Sequence, residues 1–177
     1  DDIALLTVGE LHKGKNQQTA IMAMAYLNNP HARYFICGRG KDENYLRNLA
    51  KRCNIDTRVH FLGYRKDIAE IMCACDIFVF LSLREGLSKA LMEAMASGMP
   101  VVCSAIRGNA DLIQSDKGGY LVGKTADAVA AAIDKLIKNT QLRRDMGVYN
   151  AKAVDAFREE RAAEAVEQIL YSSVEEK

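Results

Sequence analysis

The sequence lacks both a long apolar run and an excess of charge of either sign. Its apolar runs, such as Leu5–Val8 and Ile77–Leu81, are all far shorter than the roughly 20 residues that a helix needs to cross a bilayer. The net charge is +1 and basic residues form no long block, whereas a nucleic-acid-binding domain usually presents a strongly basic face. These features argue against a membrane-spanning segment and against a nucleic-acid partner, and we expect a cytoplasmic protein.

The cysteines lack the spacing of a zinc site. There are five of them, with no Cys-x-x-Cys pair and no histidine at ligand spacing. Cys37, Cys75 and Cys103 lie in or beside apolar, strand-like runs, where a free cysteine behaves as a small hydrophobic residue. We therefore expect free thiols in a reducing compartment, and no metal site.

Proline is scarce and apolar residues are abundant: the 177 residues include two prolines and are 49% hydrophobic. A chain of this length and composition can bury one core, so we expect a single domain over residues 1–177. Apolar runs predict strands at Ile3–Val8, Tyr34–Cys37, Val59–Leu62, Ile77–Leu81, Pro100–Cys103 and Gly119–Val122. Amphipathic stretches predict helices at Asn16–Leu27, from Asp42 through Cys53, and at Asp67–Cys73, Lys89–Ser97, Asn109–Gln114 and Ala126–Lys138. The stretch Gln141–Val174 is expected to be helical, with a break near Phe157.

The alternation of these elements indicates the fold class. Strands that are apolar on both faces, each followed by a helix, are typical of a parallel sheet covered on both sides. We therefore predict an α/β, doubly wound, Rossmann-like sheet of about six strands with helices on both faces. In such sheets a ligand binds at the carboxyl ends of the strands, which is where the glycine clusters of this sequence fall.

The most informative stretch runs from Glu85 to Val102, after the fourth predicted strand. Its helix would leave unsatisfied backbone amides in the first turn, and together with the helix dipole these amides form a site for a phosphate anion. Gly86 lets a ligand approach the backbone closely. Glu85 and Glu93 could each accept a pair of hydroxyl hydrogen bonds from a sugar ring. Alternatively, Glu85 only complements the helix dipole and Glu93 is a solvated helix residue.

The same stretch resembles the signature of glycosyltransferase family 4, the group 1 transferases, in which two glutamates are separated by seven residues. The residues in register with that signature are Glu85, Gly86, Leu87, Ser88, Glu93, Ala94, Met95, Ala96, Gly98, Pro100, Val101 and Val102. Ile36–Gly40, Val59–Tyr64 and Asp76–Ser82 are similar to further segments of the family, so the likeness covers about residues 3–135. It implies the C-terminal, donor-binding half of a GT-B transferase.

The resemblance also implies roles for individual residues. Glu93 would accept the ribose hydroxyls of a nucleotide-sugar, and Glu85 would contact the transferred sugar. The amides of Leu87, Ser88, Lys89 and Ala90, with Gly86 beside them, would hold the distal phosphate. Gly9 and Gly38 would shape the phosphate-side loops, and the loop formed by Leu62, Gly63 and Tyr64 would face the base.

The first loop departs from the family pattern. Lys15 matches a lysine that the family places on the diphosphate, but Glu10 stands where an arginine is usual. An acid cannot stabilise a leaving diphosphate. Either Lys15 stabilises the diphosphate without the usual arginine, with help from Lys13, or Glu10 is turned away from the site.

The resemblance implies a retaining transferase without a metal or other cofactor, because amides and Lys15 would neutralise the diphosphate. The donor would be a nucleotide-diphosphate sugar, with a UDP-sugar favoured. The acceptor, a glycan or a lipid-linked molecule, would bind an N-terminal domain that is missing here, and the start at Asp1 without a methionine suits an excised domain. Capsular or exopolysaccharide synthesis is the expected setting, with peripheral membrane association of the full-length protein. The alternatives are a nucleotide-sugar epimerase or a sugar phosphorylase on the same plan, and a non-catalytic nucleotide-binding domain.

Overall fold

Six strands alternate with seven helices over residues 2–157, the part of the chain that this computed structural model describes. The strands are β1 Ile3–Val8, β2 Ala32–Cys37, β3 Val59–Gly63, β4 Ile77–Phe80, β5 Val101–Ser104 and β6 Gly119–Val122. The helices are α1 Gln17–Tyr26, α2 Glu43–Arg52, α3 Ile68–Cys73, α4 Lys89–Ala96, α5 Arg107–Ala110, α6 Ala126–Lys138 and α7 Thr140–Ala153. Short 3-10 turns occupy Lys13–Lys15, Asp56–Arg58 and Val154–Phe157.

The strands form one sheet in the order β3-β2-β1-β4-β5-β6. All neighbouring pairs are parallel, so every strand ends at the same edge. The predicted α/β, Rossmann-like fold is therefore confirmed. The strand order reverses direction between β1 and β4, and such a switch point opens a crevice between the loops that leave the two strands.

Both faces of the sheet are covered by helices. On one face, Ile21 of α1, Leu49 of α2 and Ile133 of α6 pack against the strands. On the other face, Met72 of α3 and Leu91 of α4 belong to a second apolar cluster. Each such side chain contributes about 1.5–3 kcal/mol when it leaves water. This two-sided burial explains why the central strands have no polar face.

One helix prediction needs correction, and another, the helix from Gln141 with a break near Phe157, is confirmed in part. The short helix expected at Asn109–Gln114 lies at Arg107–Ala110 instead. The Asn109 side chain donates to Ser104 in the core, so it is not available to cap a helix that starts there. The long helix expected after Gln141 ends at Ala153 and continues as a 3-10 turn to Phe157. The remainder of that predicted helix lies outside the described residues.

Within the described range, no helix has the length and apolar character required to cross a bilayer. The five cysteines are free thiols, as expected, with Cys37 and Cys103 buried and Cys73 exposed. Asp42 stands at the N-cap of α2, although its side chain accepts no hydrogen bond from the first turn of that helix.

Candidate functional site

A cleft of about 530 Å³ lies at the carboxyl edge of the sheet, across the switch point between β1 and β4. Its walls come from the loops that follow β1, β2 and β3 and from the first turns of α4. The lining residues are Val8, Gly9, Glu10, Cys37, Gly38, Arg39, Tyr64, Arg65, Ile68, Lys89, Ala90 and Glu93. The cleft is therefore located where the parallel topology predicts a ligand.

The loops after β1 and β2 are joined by backbone hydrogen bonds, which make one wall of the cleft. Gly9 N donates to Cys37 O at 2.9 Å and Leu11 N donates to Arg39 O at 3.0 Å. A Cβ on Gly38 would lie 1.9 Å from Gly9 O, and Gly38 has a φ of 147°. Only glycine fits this crossing, so Gly38 sets the shape of the wall.

The opposite wall is the N-terminal turn of α4. Ser88 is the N-cap, and its side chain accepts a hydrogen bond from Leu91 N at 3.5 Å. In the described part of the chain, the backbone amides of Leu87, Ser88, Lys89 and Ala90 donate to no acceptor. Lys89 and Ala90 line the cleft, so the N-terminus of α4, with its free donors and the positive end of the helix dipole, lies at the cleft.

Lys15 and Glu85, which are 70 residues apart in sequence, form an ion pair beside this cleft. Lys15 Nζ lies 2.6 Å from Glu85 Oε1, and the two side chains are only 24% and 15% exposed. Lys15 Nζ also lies 5.3 Å from the centre of the Phe80 ring, within the range of a cation–π contact. Leu83 N donates to Gly14 O at 2.8 Å, which ties the two loops together.

Glu93 lies one turn into α4, where it combines exposure with a weak ion pair. Its side chain is 44% exposed, and Lys89 Nζ is 3.7 Å from Glu93 Oε1. An exposed pair of this kind contributes about 0.3–0.5 kcal/mol in a helix. The carboxylate is therefore available to a ligand in the cleft.

The other charged groups of the cleft differ in whether they have protein partners. Arg65 pairs with Asp67, and this hydrogen bond raises the pKa of Arg65 and lowers the pKa of Asp67. Arg39 is exposed and forms no ion pair with the described residues. Glu10 is exposed and is one of the residues that line the cleft.

The structure brings together about half of the residues that the sequence singled out. Gly9, Gly38, Tyr64, Lys89, Ala90 and Glu93 line the cleft. The other predicted site residues are not among its lining residues: Lys15, Leu62, Gly63, Glu85, Gly86, Leu87 and Ser88. Sequence reasoning missed Arg39, Arg65 and Ile68. All three follow β2 or β3 at the edge where ligands bind, and that position was the available signal. Among residues 2–157, no group of three histidine, cysteine or acidic side chains could hold a metal ion.

The chain matches the family model described as "Glycosyl transferases group 1" over residues 1–153. The chain belongs to this family. It is 32% identical over 171 residues to N-acetyl-alpha-D-glucosaminyl L-malate synthase of Bacillus anthracis, a match that covers 94% of this chain and 45% of that relative. The chain therefore spans about half the length of the curated relatives it matches.

Several solved structures share this fold. HepE from Anabaena, crystallised with UDP, superposes with a TM-score of 0.86 and 26% identity over 97% of this chain and 49% of that one. The C-terminal domain of LpcC, a group 1 glycosyl transferase from Francisella tularensis, gives a TM-score of 0.78 and 27% identity. That match covers 87% of this chain and 85% of the LpcC domain. The cleft therefore belongs to a fold used by group 1 transferases.

Proposed function

We propose that this chain is the C-terminal, donor-binding domain of a retaining transferase of family 4, and that it binds a nucleotide-diphosphate sugar. The observation that carries this proposal is the Lys15–Glu85 ion pair beside a cleft whose lining includes Lys89 and Ala90 at the N-terminus of α4. A UDP-sugar is the favoured donor, and the UDP complex of HepE supports that choice.

The diphosphate would bind between α4 and Lys15. The amides at residues 87–90 have no acceptor among residues 2–157, and a helix N-terminus with free amides is a site for phosphate. Lys15 has three N–H donors, so its ammonium can bind a phosphate oxygen while it still donates to Glu85. No metal is needed in this arrangement, because the amides and the lysine balance the phosphate charge.

The nucleoside would extend along the cleft away from Lys15. Glu93 would accept the two ribose hydroxyls, because an ionised carboxylate offers acceptors side by side. The base would lie toward Tyr64, which is exposed and lines that end of the cleft. Leu62 and Gly63 would shape the same loop from outside the cleft.

The transferred sugar would lie against Glu85. In the transfer step, the bond between the anomeric carbon and the phosphate oxygen breaks, and the acceptor oxygen bonds to that carbon on the same face. The acceptor proton passes to the departing phosphate oxygen. Lys15 would stabilise the charge that grows on this phosphate, and such electrostatic stabilisation is usually the largest catalytic term.

The acceptor would be held by the other half of the protein. The match to an excised C-terminal domain of a group 1 transferase supports this division. We propose a glycan or lipid-linked acceptor, as in capsular or exopolysaccharide synthesis. The protein would then work in the cytoplasm, at the inner face of the membrane.

One observation favours a second candidate, a non-catalytic nucleotide-binding domain. Glu10 lines the cleft and, as an acid, would oppose the phosphate charge that a transferase must stabilise. Of the two candidates, only a transferase needs the Lys15–Glu85 pair next to the sugar.

A thermal-shift panel of nucleoside diphosphates tests the proposal on the 177-residue chain. We expect UDP to raise the unfolding temperature more than GDP, ADP or CDP, because a ligand that binds only the folded state stabilises it. We also expect no sugar transfer by this chain alone, since the acceptor half is needed. No shift with any nucleotide, or turnover by the chain alone, would contradict the two-domain interpretation.

A further inference from the structure

Glu85 lies in a segment without regular secondary structure, between the end of β4 and the start of α4. Its side chain is held from the front by Lys15. Its backbone packs against α5, a helix that the sequence pattern did not connect with the donor. The carbonyl oxygens of Glu85 and Gly86 both face Gly108 in the first turn of that helix.

Gly108 leaves no room between α5 and this segment. A Cβ on Gly108 would lie 2.1 Å from Gly86 O and 2.6 Å from Glu85 O, distances at which something must shift. By contrast, a Cβ on Gly86 would meet nothing within 4 Å. The Glu85–Gly86 backbone is therefore packed tightly on the side of α5 and open on the other side.

Asn109, the next residue, connects α5 to the ends of two strands. Its Nδ2 donates to Ser104 O and to Ser104 Oγ, both at 3.0 Å, and Ser104 Oγ donates to Ser82 O. Rotating the amide of Asn109 would place its oxygen against the carbonyl of Ser104, so these bonds fix its orientation.

This set of polar groups is buried and incompletely satisfied. Ser82, Ser104 and Asn109 are each at most 2% exposed. Ser82 Oγ and Asn109 Oδ1 have no hydrogen-bond partner in the described part of the chain. Unsatisfied buried polar groups destabilise a fold, so stability alone does not account for them.

We propose that Gly108 and Asn109 are positioning residues for Glu85, which hold its backbone where the carboxylate meets the sugar of the donor. This inference rests on the proposed function. Close packing by Gly108 sets the position of the Glu85 and Gly86 carbonyl groups. The hydrogen bonds among Asn109, Ser104 and Ser82 fix the start of the segment that contains Glu85. Small displacements at such a site are costly, because hydrogen bonds to a ligand require close geometry.

The test compares binding of UDP with binding of UDP-glucose, UDP-galactose and UDP-N-acetylglucosamine. The sugar increment is the ratio of the dissociation constant of UDP to that of the tightest UDP-sugar. In the wild type this increment should be roughly tenfold or more, the effect of hydrogen bonds to a charged group. Gly108→Ala and Asn109→Ala should bring it close to one, with UDP affinity changed by less than about threefold.

Gly123→Ala is the matched control, because a Cβ there meets nothing within 4 Å and the residue is outside the cleft. It should keep the wild-type increment. If Gly108→Ala does not fold, Ser104→Ala removes the Ser104 Oγ bonds to Asn109 and Ser82 without adding an atom, and it should likewise lower the increment. In a Glu85→Gln background, Gly108→Ala should cause no further loss, since both changes act through one carboxylate.

The outcomes separate the two proposals. If the wild type binds no UDP, the proposed function fails. If it binds UDP and the variants keep the wild-type sugar increment, or lose UDP and UDP-sugar affinity equally, Gly108 and Asn109 are only structural. A wild type that binds UDP but shows no increment with any of the three sugars also overturns the inference.

Discussion

Lys15 Nζ and Glu85 Oε1 lie 2.6 Å apart, although 70 residues separate them in the chain. The contact joins the loop after β1 to the loop after β4, across the point where the strand order reverses. Without a ligand, each charged group neutralises the other. Under the proposed function, a bound diphosphate would share Lys15 and bring the sugar to Glu85, and the pair would connect phosphate binding with sugar binding.

Lys15→Met should weaken binding of UDP by roughly 10- to 100-fold, since a charge-assisted hydrogen bond contributes about 1.5–3 kcal/mol. Uridine has no phosphate, so its affinity should hardly change. Lys124→Met is the control, because Lys124 is exposed and outside the cleft. Calorimetric titration checks all three proteins, and an equal loss for UDP and uridine would show that Lys15 supports the fold.

Glu93→Ala should weaken binding of UDP by about 2–4 kcal/mol, or roughly 30- to 1000-fold, if two ribose hydroxyls donate to the carboxylate. Pyrophosphate lacks the ribose, and its affinity should change by less than about threefold. The UDP affinity of Glu93→Gln should lie between those of the wild type and Glu93→Ala, because the amide keeps part of the acceptor capacity.

Glu43→Ala is the matched control for this change, since Glu43 forms a comparable pair with Arg47 on α2, away from the cleft. It should leave binding of both ligands unchanged. Equal losses of UDP and pyrophosphate in Glu93→Ala would assign Glu93 to the phosphate site, and unchanged affinities would return it to the role of a solvated helix residue.

Glu10→Gln should tighten binding of UDP by roughly three- to tenfold, the effect of removing about 1 kcal/mol of like-charge repulsion. The gain should shrink as salt increases, because exposed charges are screened. Glu70→Gln, on the exposed side of α3, is the control. Weaker UDP binding in Glu10→Gln would mean that Glu10 binds the donor directly.

Stability should fall above about pH 9 because buried thiols resist ionisation. Burial raises the pKa of Cys103 to about 12 and that of Cys75 to about 11, from 9.0. The unfolded chain releases these protons first, so their contribution is intact below pH 9 and is lost as the pH rises toward 11–12. For Cys103 the slope is up to about 1.4 kcal/mol per pH unit.

Denaturant unfolding at several pH values checks this dependence. Cys103→Ala should lower the free energy of unfolding at all pH values. Between pH 9 and 11, however, this free energy should decrease less steeply than in the wild type. Cys73→Ala should keep the wild-type slope, since Cys73 is exposed. A flat profile in the wild type would contradict the burial of these thiols.

The fold was predictable because its signals are local and repeated. Each strand is an apolar run such as Ile77–Phe80, and each is followed by a periodic stretch. The predicted bounds of α5 were wrong, because Asn109 lies inside the helix and hydrogen-bonds to Ser104 rather than starting the helix. No local pattern distinguishes these two uses of an asparagine.

The residues of the site were predictable from the sequence mainly where they lie together in one segment. Glu85, Glu93 and the amides of α4 come from one stretch, and Lys15 was named through a resemblance. Arg39 and Arg65 reach the cleft from separate loops, and Gly108 touches the Glu85 segment only through tertiary packing. Such contacts depend on how strands pair, which sequence periodicity does not specify.

Calorimetric titration of UDP into the 177-residue chain, with and without a chelator, tests the central claim most directly. We expect one-to-one binding with a dissociation constant below about 1 mM, which corresponds to more than about 4 kcal/mol. The chelator should leave it unchanged, because amides and Lys15, rather than a metal, are proposed to bind the diphosphate. Absence of binding would contradict the donor site, and binding abolished by the chelator would contradict the way this cleft is proposed to hold the phosphates.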